Sequence, residues 1–424
     1  MDATEFGQLQ PMLTRYLGEF ADCFSQKGTR AHLRTYLGGQ LSNLPRKSVE
    51  PMADAAGVPV RTLQEFLSQL RWDEDRLRDR LQQRVARTHP SHRSVGLIDE
   101  TSFRKKGQKT PGVQRQYCGN IGKQDNCIVT VHLGYAVDDF PCLLDGELFL
   151  PESWSEDRER CQQAGLPEGM VYRPKTAIAL ELYDRAVGNG LAFAWLTFDE
   201  WYGGKPAFLQ ALRDRQQPYV KEVPKSFLGW MEPPGVTDRP YRRGRGRGRQ
   251  TPRLLASSPK ARTVEDLWQR DPRLRKKPCK LWRVKDGEKG ALLWEVKSFR
   301  LYPQAERGLP GPRHVSIIAR NLLDPSEVKY FVASAPPRTP LPRLLLVAFS
   351  RWRVERCFED SKGEIGLSHY EGRRYLGLKR HLILSAVSYL FLVEGKEALR
   401  GKQTAVDGVP NPPGEQCHHP ILVA

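Results

Sequence analysis

The order of strand-type and helix-type runs between residues 94 and 223 most constrains the fold of this chain. Three runs rich in strand formers come first: SVGLIDE, DNCIVTVHLGYAV and PCLLDGELFL. Helical and strand patterns then alternate in PKTAIALELYDRAVGNG, LAFAWLTFDE, KPAFLQALRDRQ and PYVKEVP. The predicted order is β-β-β-α-β-α-β, an α/β fold that opens with an antiparallel meander. In the first helix, Ala179, Leu182, Ala186 and Val187 are predicted to lie on one side.

Charge and composition indicate the partner. The chain of 424 residues has 67 Lys and Arg against 49 Asp and Glu, a net charge of +18. Such an excess, mostly arginine, is typical of proteins that bind DNA or RNA. The sequence has no run of 18 apolar residues and no apolar N-terminal segment, which predicts a cytosolic protein without a membrane span. Eight cysteines without a Cys-x-x-Cys pair predict reduced structural thiols.

Residues 1–90 have helical periodicity throughout. Within them, MADAAGVPVRTLQEFL has the pattern of a helix-turn-helix, with Gly57 at the turn and a second helix opening near Pro59. This pattern predicts a helical DNA-binding domain in which Arg61 contacts DNA. An ordinary αα-hairpin within a helical bundle has the same sequence pattern.

A basic, Pro- and Gly-rich stretch begins near residue 230. Its segment RRGRGRGR, residues 242–249, resembles an arginine-glycine arm that contacts the DNA backbone without sequence specificity. The predicted contacts are Arg242, Arg243, Arg245, Arg247 and Arg249. A soluble basic linker is the alternative. Strand patterns follow in KPCKLWRVK, ALLWEVKSFRLY, HVSIIARNLL and EVKYFVASA, which predict a β-rich insertion.

Helical patterns return after residue 336. In RWRVERCFEDSK, residues 351–362, helical spacing places Arg351, Glu355, Phe358 and Lys362 on one face. The final helical run, KRHLILSAVSYLFLVEGKEAL, has charges near both ends and only about 13 apolar-rich residues between them, fewer than a span needs. It is therefore predicted to be a buried core helix.

Three acids stand out in this pattern. Asp99 and Asp199 are predicted at strand ends, and Glu355 lies on the later helix. Phosphodiester cleavage by two divalent ions needs a set of carboxylates of this kind, because Mg²⁺ prefers hard oxygen ligands. Taken singly, each acid is more often structural than catalytic. The neighbouring acids Glu100, Glu200 and Glu359 are alternatives, and Glu359 lies one helical turn beyond Glu355.

The chain resembles the DDE transposases of bacterial insertion sequences over about residues 15–395. It is similar to the branch whose third acid lies in a Tyr-x2-Arg-x3-Glu-x6-Lys signature, which Arg351, Glu355 and Lys362 match; Ala348 stands at the tyrosine position. GLIDETSF and LTFDEWYG match the segments of the first two acids. RQYCGNIGKQDNC, LPESW and GLSHYEGRRYLG also resemble segments of that family.

The resemblance implies a ribonuclease H-like core, a mixed five-stranded sheet with flanking helices, interrupted by the β-rich insertion and preceded by an all-α N-terminal domain. The predicted domains are 1–90 (helical, DNA-binding), 91–228 (first part of the core), 229–335 (basic linker and insertion), 336–398 (second part of the core) and 399–424 (tail).

The resemblance also implies an activity. Asp99, Asp199 and Glu355 are expected to hold two Mg²⁺ ions, which Mn²⁺ replaces, while Arg351 and Lys362 hold DNA phosphates. The expected substrates are double-stranded inverted-repeat ends and target DNA, bound by a homodimer in the bacterial cytoplasm at the nucleoid. Trp282 and Trp294 are expected either to hold a flipped base or to pack in the sheet. A silent DNA-binding regulator and a nuclease that cuts without joining remain alternatives.

Overall fold

The computed structural model describes residues 3–238, 251–287 and 290–406. The chain forms two compact units. Unit 1 contains the described residues 3–194 and 352–406, and unit 2 contains those from 195 to 351. The predicted boundaries at residues 90, 228, 335 and 398 stay predictions.

Unit 1 begins with five helices: α1 (Ala3–Gly18), α2 (Lys27–Gln40), α3 (Val49–Ala55), α4 (Val60–Ser68) and α5 (Glu74–Thr88). Helices α3 and α4 occupy the segment predicted to be a helix-turn-helix. Gly57 between them has φ +65°, a left-handed conformation that glycine adopts without steric cost. Met52 and Leu63 are buried, so both helices contribute to the core. A role in DNA binding stays a prediction.

An antiparallel sheet follows, formed by β1 (Val95–Arg104), β2 (Gln114–Cys118), β3 (Lys123–Val137) and β4 (Phe140–Leu148). β1 pairs along one edge of β3, and β2 and β4 pair in succession along its other edge. The predicted meander is thus present, but the sequence reading missed β2, whose residues QRQYC are mostly polar. It also placed Asp99 at a strand end, whereas β1 continues to Arg104 because Ser102 and Phe103 are buried.

Three helices close the first part of unit 1: α6 (Glu152–Glu156), α7 (Arg158–Gln163) and α8 (Lys175–Gly188). Ala179, Leu182 and Ala186 of α8 are buried as predicted. Val187 is 43% exposed, so the prediction that it shares one side of the helix with these three residues is wrong. Val187 lies about 100° around the helix from Ala186, outside the stripe that packs on the sheet.

Unit 2 starts with β5 (Trp195–Phe198), α9 (Glu200–Gly203), α10 (Pro206–Asp214) and β6 (Tyr219–Glu222). The later elements are β7 (Leu228–Trp230), β8 (Val236–Thr237), β9 (Arg253–Leu254), β10 (Arg262–Thr263), α11 (Val264–Arg270), α12 (Pro272–Lys276), β11 (Lys280–Gly287), β12 (Gly290–Pro303), β13 (His314–Asn321), β14 (Val328–Ser334) and α13 (Leu341–Ser350). β5 is shorter than the predicted strand LAFAWLTFDE.

The strands of unit 2 form a mixed sheet in the order β10-β7-β12-β13-β14-β6-β5, with β11 also paired to β12; β8 and β9 pair separately. β5 and β6 are parallel, and the other pairs are antiparallel. All four strands predicted in the insertion are present. They continue the sheet that β5 and β6 begin, because β14 pairs with β6. This pairing covers an edge of β6 that would otherwise expose unpaired backbone groups.

The chain returns to unit 1 with α14 (Trp352–Asp360), a π-helical turn (Ser361–Ile365) and α15 (Tyr375–Val406). By length and composition α15 is apolar enough to cross a membrane between Tyr375 and Ala398, yet 78% of its most apolar window is buried in the protein. It packs against α1, α2, α4, α5 and β4. This burial agrees with the predicted core helix.

The seven described cysteines are free thiols, and six of them are buried. This agrees with the prediction of reduced structural thiols. Cys417 lies outside the described residues.

Candidate active site

Asp99 and His132 share one face of the sheet of unit 1. They are directly opposed in the register of β1 and β3, and opposed residues of antiparallel strands project to the same side. Asp99 is half-buried and His132 is buried. The His132 ring fits beside Gly146 of β4, where a Cβ atom would lie 2.5 Å from the ring. Burial, together with the charge of Lys362, lowers the pKa of His132 to about 3, so the ring is neutral.

Helix α14 packs on this same face. Its buried side includes Val354, Cys357 and Phe358, and the Phe358 ring meets the His132 ring edge-on with centroids 5.2 Å apart. Glu355 and Glu359 lie on its exposed side. The helix that carries Glu355 is thereby held against the strands that carry Asp99.

Lys362 lies in the π-helical turn that follows α14. π-turns recur at functional sites, and here the turn replaces the continuous helix predicted for residues 351–362. The Lys362 ammonium donates to Asn120 Oδ1 at 2.6 Å and lies 5.8 Å from the Phe358 ring centroid. Burial lowers the pKa of Lys362, and the charges of Cys118 and Asp99 act in the opposite direction.

Two residues of this arrangement escaped the sequence reading. Asn120 donates from Nδ2 to the carbonyl of Ser102 on β1 at 2.6 Å, while its Oδ1 accepts from Lys362. His132 connects β3 to α14. His132 lies within an apolar strand and gives no sequence signal. Asn120 lies in RQYCGNIGKQDNC, so the family-like segment was its only signal.

Asp199 lies in unit 2, directly after β5. It caps α9, accepting from the Tyr202 backbone N–H at 3.1 Å. A Cβ atom on Gly203 would lie 3.0 Å from the Glu222 carbonyl oxygen, so this glycine lets α9 approach β6 closely. Asp199 is half-buried and its position after a buried strand agrees with the prediction.

The signature residues of unit 2 lie around α13. Arg351 follows the last residue of α13, and its guanidinium lies 3.2 Å from the Glu222 carboxylate. Ala348, at the signature tyrosine position, is buried. The neighbouring Phe349 packs against Trp294 and Phe331, with ring centroids 5.2 and 5.6 Å apart. Its ring therefore contributes to the packing of unit 2.

The alternative acids differ in their surroundings. Glu100 pairs with Lys175 at 2.7 Å, and its Oε2 is buried without a hydrogen-bond partner among the described residues. It alternates with Asp99 along β1 and so projects to the other face of the sheet. Glu200 is exposed in the first turn of α9. Glu359 lies 3.9 Å from Arg356 and is exposed like Glu355.

The predicted DNA contacts are only partly covered by the structure. Arg61 is on α4 with 83% of its side chain exposed, paired to Glu65 at 2.6 Å. Arg242, Arg243, Arg245, Arg247 and Arg249 lie outside the described residues. Of the aromatic residues after Asp199, Tyr202 is buried, whereas Trp201 is exposed beneath the Lys205 ammonium at 4.5 Å.

The chemistry of the three acids fits a divalent ion. Their carboxylate oxygens are the hard donors that Mg²⁺ and Mn²⁺ take, and all three are exposed or half-buried, hence open to solvent. Asp99 and Glu355 belong to unit 1 and Asp199 to unit 2. Within either unit, the described residues contain no group of three His, Cys, Asp or Glu side chains close enough to hold a metal.

Comparison with known proteins places these observations in a family. The sequence pattern of the DDE superfamily endonuclease family matches residues 19–290, which include Asp99 and Asp199. The chain is also 32% identical over 208 residues to a probable transposase for insertion sequence element IS701 from Microchaete diplosiphon. That match covers 46% of this chain and 51% of the relative, so the chain spans about half the length of the relative. Members of the matched family generally use divalent metal ions. With more than half of its length matched, the chain belongs to the DDE superfamily of endonucleases.

Proposed function

We propose that the chain is a DNA transposase of a bacterial insertion sequence. It binds the inverted-repeat ends of its element, hydrolyses the phosphodiester at each end and joins the freed 3′-hydroxyl to target DNA. Membership of the endonuclease family and the similarity to a probable transposase support this proposal. The observation that carries it is the packing of α14, which bears Glu355 and leads into Lys362, on the sheet face of Asp99.

The catalytic residues of the proposal are Asp99, Asp199 and Glu355. Together they hold two Mg²⁺ ions, with Mn²⁺ as a substitute, within a ribonuclease H-like core. Ions bound in this way supply an activated oxygen nucleophile and stabilise the leaving oxygen. The neutral His132 ring keeps Phe358, and with it α14, beside Asp99. It adds no positive charge next to the carboxylates.

Cationic side chains hold the DNA in this proposal. Lys362 binds a phosphate next to Asp99, and Arg351 binds another when DNA competes with Glu222 for its guanidinium. Arg61 and the arginines of 242–249 neutralise DNA backbone phosphates without reading the sequence. The N-terminal helices form the DNA-binding domain, and a homodimer brings two ends together in the cytoplasm, at the nucleoid.

One observation favours a second candidate, a silent DNA-binding regulator derived from a transposase. The buried Ala348 has no hydroxyl with which to replace the signature tyrosine. A nuclease that cuts without joining is a third candidate. Strand-transfer products distinguish the transposase from this nuclease.

The test is cleavage of a duplex that carries the ends flanking the gene, with Mg²⁺ or Mn²⁺, by the intact chain and by Glu355→Gln. We expect metal-dependent nicking at the ends that disappears in Glu355→Gln, because the amide lacks the ligand charge. The affinity for DNA and the free energy of unfolding should change little in Glu355→Gln, since Glu355 is exposed.

Glu359→Gln is the matched control, one turn along the same exposed side of α14. It should cleave like the intact chain. If Glu359→Gln loses cleavage and Glu355→Gln retains it, the third acid is Glu359. End binding without cleavage by the intact chain would favour the regulator.

A further inference from the structure

Residues 104–124, which we call the basic hairpin surface, contain six cations and no acid. They cover the end of β1, the loop after it, β2 and the turn into β3. Arg104 pairs with Asp125 at 2.7 Å, and Lys105 donates to the Tyr370 carbonyl beneath the surface. Arg104 is nevertheless exposed, as are the other four cations: Lys106, Lys109, Arg115 and Lys123. The adjoining acid, Asp125, is already paired with Arg104, and a cluster of exposed cations of this kind attracts phosphates.

The surface is held in shape by family-like segments that the proposed chemistry leaves unexplained. Trp154 of LPESW is buried and donates from Nε1 to the Val113 carbonyl at 2.8 Å. Arg160 lies over the Trp154 ring and donates to the Gln108 carbonyl at 2.9 Å. The loop after β1 is therefore supported by side chains of α6 and α7.

Two further contacts complete this support. Asn126 donates from Nδ2 to the carbonyls of Lys105 and Gly107 at 2.6 and 2.9 Å. Tyr370 of GLSHYEGRRYLG accepts from Lys105. Two other family-like segments, those of Trp154 and Tyr370, thus contact the base of the exposed basic loop, and Asn126 joins the loop to β3. Support of this kind pre-organises a binding surface.

The tip of the surface exposes large apolar side chains among the cations. Tyr117 is 62% exposed, and Ile121 in the turn is also exposed. Tyr117 and Arg115 are two residues apart on β2 and project to the same side. An exposed aromatic ring beside an arginine is a common arrangement for stacking on a base while the guanidinium contacts phosphate.

The turn is joined to the proposed active site through Asn120. Its side-chain amide accepts from Lys362 and donates to Ser102 of β1, three residues beyond Asp99. DNA whose phosphate is bound by Lys362 therefore passes close to the turn.

We propose that the basic hairpin surface binds the DNA of the element end, next to the phosphodiester that is cut. Its exposed cations contact phosphates. The Tyr117 ring stacks on a base at the element end that no longer stacks within the duplex. This inference rests on the proposed function, since it takes Lys362 as a phosphate ligand. It commits to end DNA rather than target DNA, because the tether through Asn120 places the surface beside the residue that holds the end.

The first test measures affinity for a duplex carrying the terminal inverted repeat, as a function of salt, for the intact chain and for Arg115→Ala/Lys123→Ala. Removing one cation that binds a phosphate lowers the slope of log affinity against log salt by about 1, so we expect the slope to fall by about 2. Lys225→Ala is the matched control, an exposed lysine of unit 2 that lies 3.6 Å from Glu265, and should leave the slope unchanged. An unchanged slope in the double variant would overturn the proposal.

The second test compares Tyr117→Ala with Tyr117→Phe on the same duplex with an unpaired terminal base. Loss of one stacked base weakens binding by roughly five- to hundredfold, and phenylalanine retains the stacking ring. We expect a loss in Tyr117→Ala and little change in Tyr117→Phe. Equal affinity for all three proteins would refute the stacking role.

A third measurement distinguishes end DNA from target DNA as the ligand of the basic hairpin surface. It also distinguishes failure of this proposal from failure of the proposed function. A pre-cut end is joined to a supercoiled plasmid by each variant. If the variants bind and cleave ends normally but join them poorly to the plasmid, the surface binds target DNA and the assignment to end DNA is wrong. If the intact chain binds ends without cutting them, the proposed function fails, while the binding tests still decide the role of the surface.

Discussion

Two hairpins of this protein carry aromatic residues among cations, but these residues are buried in one hairpin and exposed in the other. In β11–β12 of unit 2, Trp282 and Trp294 are opposed in register and are 1% and 2% exposed. In β2–β3 of unit 1, Tyr117 is opposed to Gln124 and remains exposed. From the sequence, Trp282 and Trp294 are expected either to hold a flipped base or to pack in the sheet. The sequence analysis makes no prediction for Tyr117.

The difference shows that the covering element decides the role of an aromatic residue in a strand. Phe349 of α13 packs on Trp294, and Lys329 lies 6.0 Å from the same ring centroid. Burial of both indoles agrees with the packing alternative. Such a covering element comes from elsewhere in the chain. A local sequence pattern therefore does not show whether an aromatic residue in a strand is buried or exposed.

The largest expected contrast is in stability. Trp282→Ala removes a large buried side chain and should lower the free energy of unfolding by about 3–5 kcal/mol. Tyr117→Ala, at an exposed position, should change it by less than about 0.5 kcal/mol. Urea unfolding followed by circular dichroism measures both. Similar losses in the two variants would contradict the assignment of covered and exposed hairpins.

A smaller effect should appear in the pH dependence of stability. His314 of β13, next to β12, is buried, and burial lowers its pKa from 6.5 to about 4. The unfolded chain therefore binds more protons between these values, and stability is lost as the pH falls from about 6.5 to about 4.

His314→Gln removes this titration. The loss of unfolding free energy between pH 7 and pH 5 should be smaller in His314→Gln than in the intact chain, by about 2 kcal/mol. Urea unfolding at the two pH values measures the difference. An identical pH dependence in both proteins would mean that His314 is not held neutral by burial.

Among the buried residues, the smallest effect is expected for Trp294→Phe. The Trp294 indole N–H is buried without a hydrogen-bond partner among the described residues, so its removal leaves no acceptor unpaired. We expect a change of about 1 kcal/mol or less in unfolding and unchanged cleavage of element ends. A clear loss of cleavage with normal stability would restore a DNA-contacting role for Trp294.

The sequence predicted elements well where one periodicity dominates a long run. Strands β3, β12, β13 and β14 and helix α15 follow from such runs. The prediction failed at β2, a strand formed mostly by polar residues. It also failed at Val187, which was assigned to the side of three buried residues but is exposed. It also gave residues 351–362 one continuous helix, because the π-turn at Lys362 has no local signature.

The sequence likewise predicted only some of the residues of the candidate site. Residue type, spacing and the family resemblance together nominated Asp99, Asp199, Glu355 and Lys362, since carboxylates and cations carry the chemistry of phosphodiester cleavage, and their roles stay predictions. Spacing did not show that Asn120 holds Lys362 or that His132 supports Phe358. These partners are 242 and 226 positions apart in the chain, beyond the reach of any local pattern.

The sequence by itself therefore determined the mixed α/β composition, the basic character and the acids available for chemistry. Each of these depends on residue type or on periods of two and 3.6 residues, which act over a few neighbours. The tertiary structure decided which aromatic rings are covered, which face carries Asp99 beside α14, and where the basic hairpin surface lies relative to Lys362. These properties depend on pairing and packing between distant segments, which cover some side chains and leave others to solvent.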